Sequence, residues 1–220
     1  MTQNIWILTI GSSDVQLTSD RLWLGAWKPE IEDKFENHTF EPTKIDQIIW
    51  GNVEEDPKTT YRLPARVLGL AYNALPDKVG KYLTFPLLEK FAEQLEAEDV
   101  IPTKILVILT NQHHFFTKED KERDSCPYWQ DTCFLKRALQ DCFFKSDAYG
   151  LKGVEVKWIV LSPQNNEDQK YGLDDWNRVL DLVKNKLSDF KRKQELKLQP
   201  GDRIYVSHQA GTPAISSAVQ

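Results

Sequence analysis

The chain predicts an α/β fold built on a parallel sheet with helices on both faces. Two observations lead there. Short apolar runs rich in β-branched residues recur along the sequence, and helix-periodic segments alternate with them. A third concerns where the runs end: each stops in small or polar residues, as strands of a buried parallel sheet do when they reach a loop-bearing edge.

Ile5–Ile10 (IWILTI) is the first such run, followed at once by Gly11, Ser12, Ser13 and Asp14. Arg21–Trp27 alternates loosely and reads as a second strand or half of a hairpin, and 30–43 is polar and loop-like. Ile45–Trp50 reads as another strand, closed by Gly51 and Asn52. Residues 62–75 have helical spacing through Leu63, Val67, Leu70 and Ala71, with Pro64 expected in the first turn. Residues 84–98 form a stronger helix, with Thr84 as the expected cap, Pro86 early, and Leu87, Leu88, Phe91 and Leu95 on one face.

Lys104–Thr110 (KILVILT) is the clearest buried strand, ending in Asn111, Gln112, His113 and His114. A charged, exposed stretch over 118–125 leads to a helix expected over 129–144, with Phe134, Leu135, Ala138, Leu139 and Cys142 inward. Gly153–Leu161 is the next strand. A long helix follows over 172–194, with Trp176, Val179, Leu180, Val183 and Leu187 inward. Asp174 and Asp175 at its start, and Lys191, Arg192 and Lys193 at its end, suit the helix dipole. After a turn at 199–201, Asp202–Ser207 is the last strand. His208, Gly211, Thr212 and Pro213 lead into a final helix that has barely begun at Gln220. Strands near 5, 45, 104, 154 and 203, alternating with helices, define a Rossmann-like architecture over 1–220. The sequence reads as the N-terminal part of a longer protein.

Composition narrows the function classes. With 220 residues and 40% apolar content the chain is long and apolar enough for a large core. The net charge of -5 argues against wrapping long nucleic acid, which needs a field of Lys and Arg. A small anion is a different matter, because loop N–H groups and helix ends hold anions without formal charge. The three cysteines, Cys126, Cys133 and Cys142, form no disulfide framework, and their spacing to His113 and His114 matches no common zinc pattern. Cys133 and Cys142 are expected as small buried groups, and no metal is expected. The start carries no charged, apolar leader and no run is long enough to span a bilayer, so the expectation is a cytoplasmic protein without membrane partners.

In a parallel sheet the three polar tips, 11–14, 111–114 and 208–213, share one edge. Gly11 and Gly211 allow close backbone approach. Ser12, Ser13 and Thr212 offer hydroxyls, and Asn111 and Gln112 have the paired donors and acceptors an adenine edge requires. His113, His114 and His208 can stack on a base or, protonated, pair with phosphate. Gly-Ser-Ser is also an ordinary turn, and Thr212 with Pro213 is good helix-capping chemistry in its own right. The common nucleotide signatures G-x-G-x-x-G and G-x-x-x-x-G-K-[ST] are absent, as is the G-x-S-x-G elbow.

The pairing of Ile7–Leu17 (ILTIGSSDVQL) with Tyr205–Ser216 (YVSHQAGTPAIS) resembles the CARF family, the CRISPR-associated Rossmann-fold sensors of type III systems, and more narrowly those joined to a HEPN ribonuclease domain. The resemblance implies a homodimer that binds a cyclic tetra- or hexa-adenylate across its two-fold axis. It also implies a ligand site formed by Gly11, Ser12, Ser13, Asp14 and Gln16 with Gly211, Thr212 and Pro213. Some members also cut the ring, and Ser12, Ser13 and Thr212 would then orient the phosphate while His113 or His208 moves a proton. Arg203 and His208 have the spacing of a HEPN nuclease pair, but they flank a strand rather than a helix, so the effector nuclease site is expected outside these residues. Three competing readings are a nucleotide-metabolising enzyme using the same tips, a ligand-controlled transcription factor and a purely structural dimerisation domain. The second would need a basic recognition helix, which the sequence lacks.

Overall fold

A computed structural model describes residues 2–18, 60–61, 63–123, 125–163, 165–166, 169–170, 172–193, 196, 198–207 and 213–219. In chain order the first elements are β1 (Asn4–Thr9), β2 (Gln16–Thr18), β3 (Thr60–Tyr61), α1 (Ala65–Ala74), α2 (Pro76–Val79), β4 (Leu83–Thr84) and α3 (Pro86–Ala97). Next come β5 (Lys104–Thr110), α4 (Lys118–Lys121), α5 (Lys136–Ala138) and β6 (Glu155–Leu161). The chain closes with β7 (Asn165–Asn166), β8 (Gln169–Lys170), α6 (Trp176–Arg192), β9 (Arg203–Ser207) and α7 (Pro213–Ala218).

The two central apolar runs become strands buried on both sides. In β1, Trp6 and Leu8 face one core while Ile5 and Ile7 face the other. In β5, Ile105, Val107 and Leu109 join the first core, and Leu106 and Ile108 the second. This alternation is the two-residue period of a strand, and it explains why the runs are apolar without interruption. The first core is closed by α1 and α3 through Val67, Leu68 and Leu88, and the second by α6 and α7 through Val179, Val183 and Ile215. Each fully buried Leu or Ile here contributes about 1.5–3 kcal/mol.

The four strands run in the order β6-β5-β1-β9, and every pairing is parallel. The chain therefore builds outward from β1 to β5 to β6, then returns past β1 to place β9 on its other side. This is the Rossmann order, with its reversal between β1 and β9. Parallel pairing, with Leu8 opposite Ser207, puts the exits of β1 and β9 on one rim. The Trp6 indole N–H donates to Ser207 Oγ at 2.9 Å and ties the two exits together.

The structure corrects several expectations. The segment over 129–144 is not one helix. A 3₁₀ turn at Pro127–Gln130 ends in extended backbone at Asp131, a second short turn follows at Cys133–Leu135, and α5 passes into a π-helical turn over Leu139–Phe144. The break exists because Asp131 and Thr132 leave the helical path to bond the end of β5. Thr84 lies in β4, and Phe85 takes the cap position of α3, without a side-chain hydrogen bond. Pro64 precedes α1 rather than entering it. Trp176 is 55% exposed, because it is the first residue of α6, where the helix has not yet reached the core. Cys133 and Cys142 are half-buried, while Cys126 is buried. The small antiparallel sheet β3-β2-β4 is an addition to the expected architecture. The strands expected at 21–27 and 45–50 lie outside the described residues.

One close backbone approach fixes how α1 sits. A Cβ on Gly69 of α1 would meet the Phe134 carbonyl carbon at 2.5 Å, so only glycine lets the helix lie against the 133–135 turn. That contact brings Arg66, one turn earlier on α1, to Asp131.

Candidate functional site at the sheet's carboxyl rim

The exit of β1 is a tight turn held by its own acid. The Asp14 N–H donates to the Gly11 carbonyl at 3.2 Å, and the Gly11 N–H donates to Asp14 Oδ2 at 2.8 Å. Asp14 is fully buried, and its Oδ1 has no hydrogen-bond partner. Burial pushes its carboxyl up to about 7, against the pull of the Gly11 amide. Near neutral pH this residue is thus divided between a neutral acid and a carboxylate. Ser12 and Ser13 are half-buried at the tip of the turn. Gln16 is buried at the start of β2, with its side-chain amide donating to the Ser13 carbonyl at 2.8 Å. Asp14 and Gln16 brace the turn, and the two serines are only partly covered.

The exit of β5 lies beside that turn, since the Ile10 N–H donates to the Ile108 carbonyl at 3.1 Å. Here lies a buried polar network that the sequence reading misses. Arg66 donates through Nη2 to Asp131 Oδ2 at 2.7 Å and to Asn111 Oδ1 at 3.4 Å, and through Nε to the Tyr128 carbonyl at 3.0 Å. Its guanidinium stacks 3.8 Å from the Tyr128 ring centroid and 4.8 Å from that of Phe134. Asp131 also accepts from the Gln112 N–H at 2.7 Å and from Gln112 Nε2 at 3.3 Å. Burial lifts the Asp131 carboxyl above its ordinary range, and Arg66 and the Gln112 donors pull it back. Thr132 and Thr110 exchange backbone-to-hydroxyl bonds at 3.0 and 3.1 Å, which docks the 131–132 break on the strand end.

The predicted residues of this tip divide by task. Gln112 is buried, and its carbonyl oxygen accepts from the Leu173 N–H at 3.5 Å. Asn111 accepts from Arg66 and from the His113 N–H at 3.1 Å. Both hold structure. His113 is half-buried, with its ring 5.8 Å from Tyr128 and edge-on to His114, which is exposed. Burial lowers the His113 pKa, and Lys121, Arg66 and His114 add to the effect. A lone arginine near the start of an otherwise apolar helix was the available clue to the network, because a buried guanidinium requires an anionic partner.

At the third tip, His208, Gly211 and Thr212 lie outside the described residues. Pro213 opens α7, the first helical position, where its missing N–H costs nothing. Among the described residues no group of three or more His, Cys, Asp or Glu is placed to hold a metal ion, and no helix is long and apolar enough to cross a membrane.

Comparison with protein-family models, with curated proteins and with solved structures finds no match to this chain. What stands is the architecture: a Rossmann-like α/β fold of the kind that binds nucleotides, with its strand order reversing between β1 and β9.

Proposed function

We propose that this chain is a nucleotide-sensing domain that binds a cyclic tetra- or hexa-adenylate at the β1/β9 rim, across the two-fold axis of a homodimer, and so controls an effector of type III CRISPR defence. The observation that carries the reading is the reversal of strand order between β1 and β9, with the Gly11–Asp14 turn at one side of the crevice. Ligands of open α/β sheets bind at such a reversal. The half-buried Ser12 and Ser13 supply hydroxyls there, and the contribution proposed from the segment after β9 is that of Gly211, Thr212 and Pro213. A partly neutral Asp14 beneath the turn lessens the repulsion that an ionised carboxylate would exert on a phosphodiester. A ring of even repeat presents the same phosphate and base to each protomer, so each subunit offers half a site.

The same proposal extends to ring cleavage. A ribose 2′-oxygen attacks the neighbouring phosphorus, the bond from phosphorus to the 5′-oxygen breaks, and the products carry a 2′,3′-cyclic phosphate and a 5′-hydroxyl. Ser12, Ser13 and Thr212 orient the phosphate, and His113 or His208 transfers the proton.

Calorimetry with each ring tests the binding claim. Wild type is expected to bind one of them, and Ser12→Ala combined with Thr212→Ala weakens binding by about tenfold or more, the loss of roughly 1.4 kcal/mol or more of hydrogen bonding. No heat with either ring overturns the sensor reading. Incubating excess ring with the protein in EDTA, followed by mass spectrometry, tests cleavage separately; a ring still intact after hours removes the enzymatic claim alone.

A further inference from the structure

The Tyr128 ring is the hub of a cationic cluster one strand away from the β1/β9 crevice. Arg66 stacks on it at 3.8 Å, the Lys121 ammonium lies 5.0 Å from its centroid, and the His113 ring lies 5.8 Å away at a 46° tilt. Four separate pieces of chain supply these groups: α1, the turn after β5, α4 and the 127–130 turn. The charges do not balance. Asp131 is the carboxylate paired with this cluster, and it is already bonded to Arg66 and twice to Gln112. Lys121 has no carboxylate partner among the described residues. Arg66 bonds its protein partners through Nε and Nη2, and Nη1 is neither used in those bonds nor among the buried unpartnered atoms. Lys121 and His113 are each half-buried, so the cluster opens to solvent on one side.

We infer that Lys121, His113 and Arg66 Nη1 form a seat for a phosphate-type oxyanion beside the nucleotide site at the β1/β9 rim, with His113 shared between this seat and the proton transfer proposed for ring cleavage. Two cations and an imidazole gathered around one ring, with a single carboxylate already bonded to Arg66 and Gln112, leave a positive field that an incoming anion would offset. A compact ammonium and an imidazole N–H suit a tetrahedral oxyanion, whereas the guanidinium's planar fork is already engaged with Asp131. The groups that set the electrostatics from the packed elements are Arg66, Lys121, His114, Asp131 and Cys126. Burial lowers both the His113 and the Lys121 pKa; the fields of Lys121, Arg66 and His114 lower His113 further, and that of Arg66 lowers Lys121 while Cys126 and Asp131 pull it back up. An anion reverses that field, so its binding draws a proton onto His113. Affinity then rises as the pH falls through the His113 titration.

The test uses inorganic phosphate at constant ionic strength, with the His113 imidazole followed by NMR through a pH series. Phosphate is expected to raise the His113 pKa by about one pH unit and to saturate. Lys121→Gln, at a half-exposed position whose backbone carbonyl still receives the Trp129 indole, should weaken binding about tenfold and leave the fold intact. His113→Gln should remove the pH dependence of binding while keeping part of the affinity. A His113 titration unmoved by phosphate, or moved equally in Lys121→Gln, overturns the inference. Neither result bears on ring binding by Ser12 and Thr212, which calorimetry reads independently.

Discussion

Replacing Asp14 with asparagine tests the most unusual group at the rim. In the fold the Asp14 carboxyl titrates near 7 instead of 3.8, because burial penalises the charged form. The folded state therefore holds a proton that the unfolded chain has released, and stability falls as pH rises through the interval between the two values. Worked from those values, wild type should lose about 3 kcal/mol between pH 5 and pH 8 through this group alone. The asparagine side chain cannot ionise. Its Oδ1 takes over the Gly11 N–H bond, while its Nδ2 inherits the unpartnered position at a pH-independent cost of about 1–3 kcal/mol. Urea unfolding followed by tryptophan fluorescence at both pH values gives the difference between the two proteins, in which other titrating groups cancel. That difference should shift by about 3 kcal/mol in favour of the variant on going to pH 8. A difference constant to within about 0.5 kcal/mol would show that Asp14 does not titrate in this range and would refute the account of its burial.

Further expectations concern the network behind the β5 tip. Asp131→Ala strands the buried Arg66 guanidinium and should cost about 3–5 kcal/mol, lowering Tm by roughly 10 °C. Arg66→Met with Asp131→Leu should recover most of that loss, because the uncompensated charge is gone; a double-mutant cycle in which the two changes simply add would show that the pair is not coupled. Gly69→Ala should destabilise by about 1–3 kcal/mol despite the better helix propensity of alanine, since the new methyl meets Phe134 backbone rather than a yielding side chain. An unchanged or raised Tm for that variant would mean that α1 and the 133–135 turn can separate freely.

Most of the sheet was legible from the sequence because its signal is local. KILVILT could only be a strand buried on both sides, and the structure gives β5 those bounds. Acids at its start and bases at its end marked α6, although Trp176 at its first turn faces solvent; a helical period assigns a face but not where the core begins. The 129–144 segment misled for a related reason. Its apolar spacing is helical, yet Asp131 and Thr132 gain more from bonding Arg66, Gln112 and Thr110 than from continuing a helix, and those partners are distant in sequence. The same distance hid Arg66 and Lys121. The polar tips could be listed from the sequence, but which of their side chains brace a turn and which face outward depends on packing. Asp14, Gln16, Asn111 and Gln112 proved to be braces of their loops.

Gln112 spans the two halves of the molecule. One end of its amide grips Asp131, on the side of the sheet closed by α1, and the other receives Leu173, just before the helix that closes the opposite side. A single side chain thus links the two layers through the rim. Any guest that reaches the loop after β5 therefore meets a side chain bonded to both layers at once.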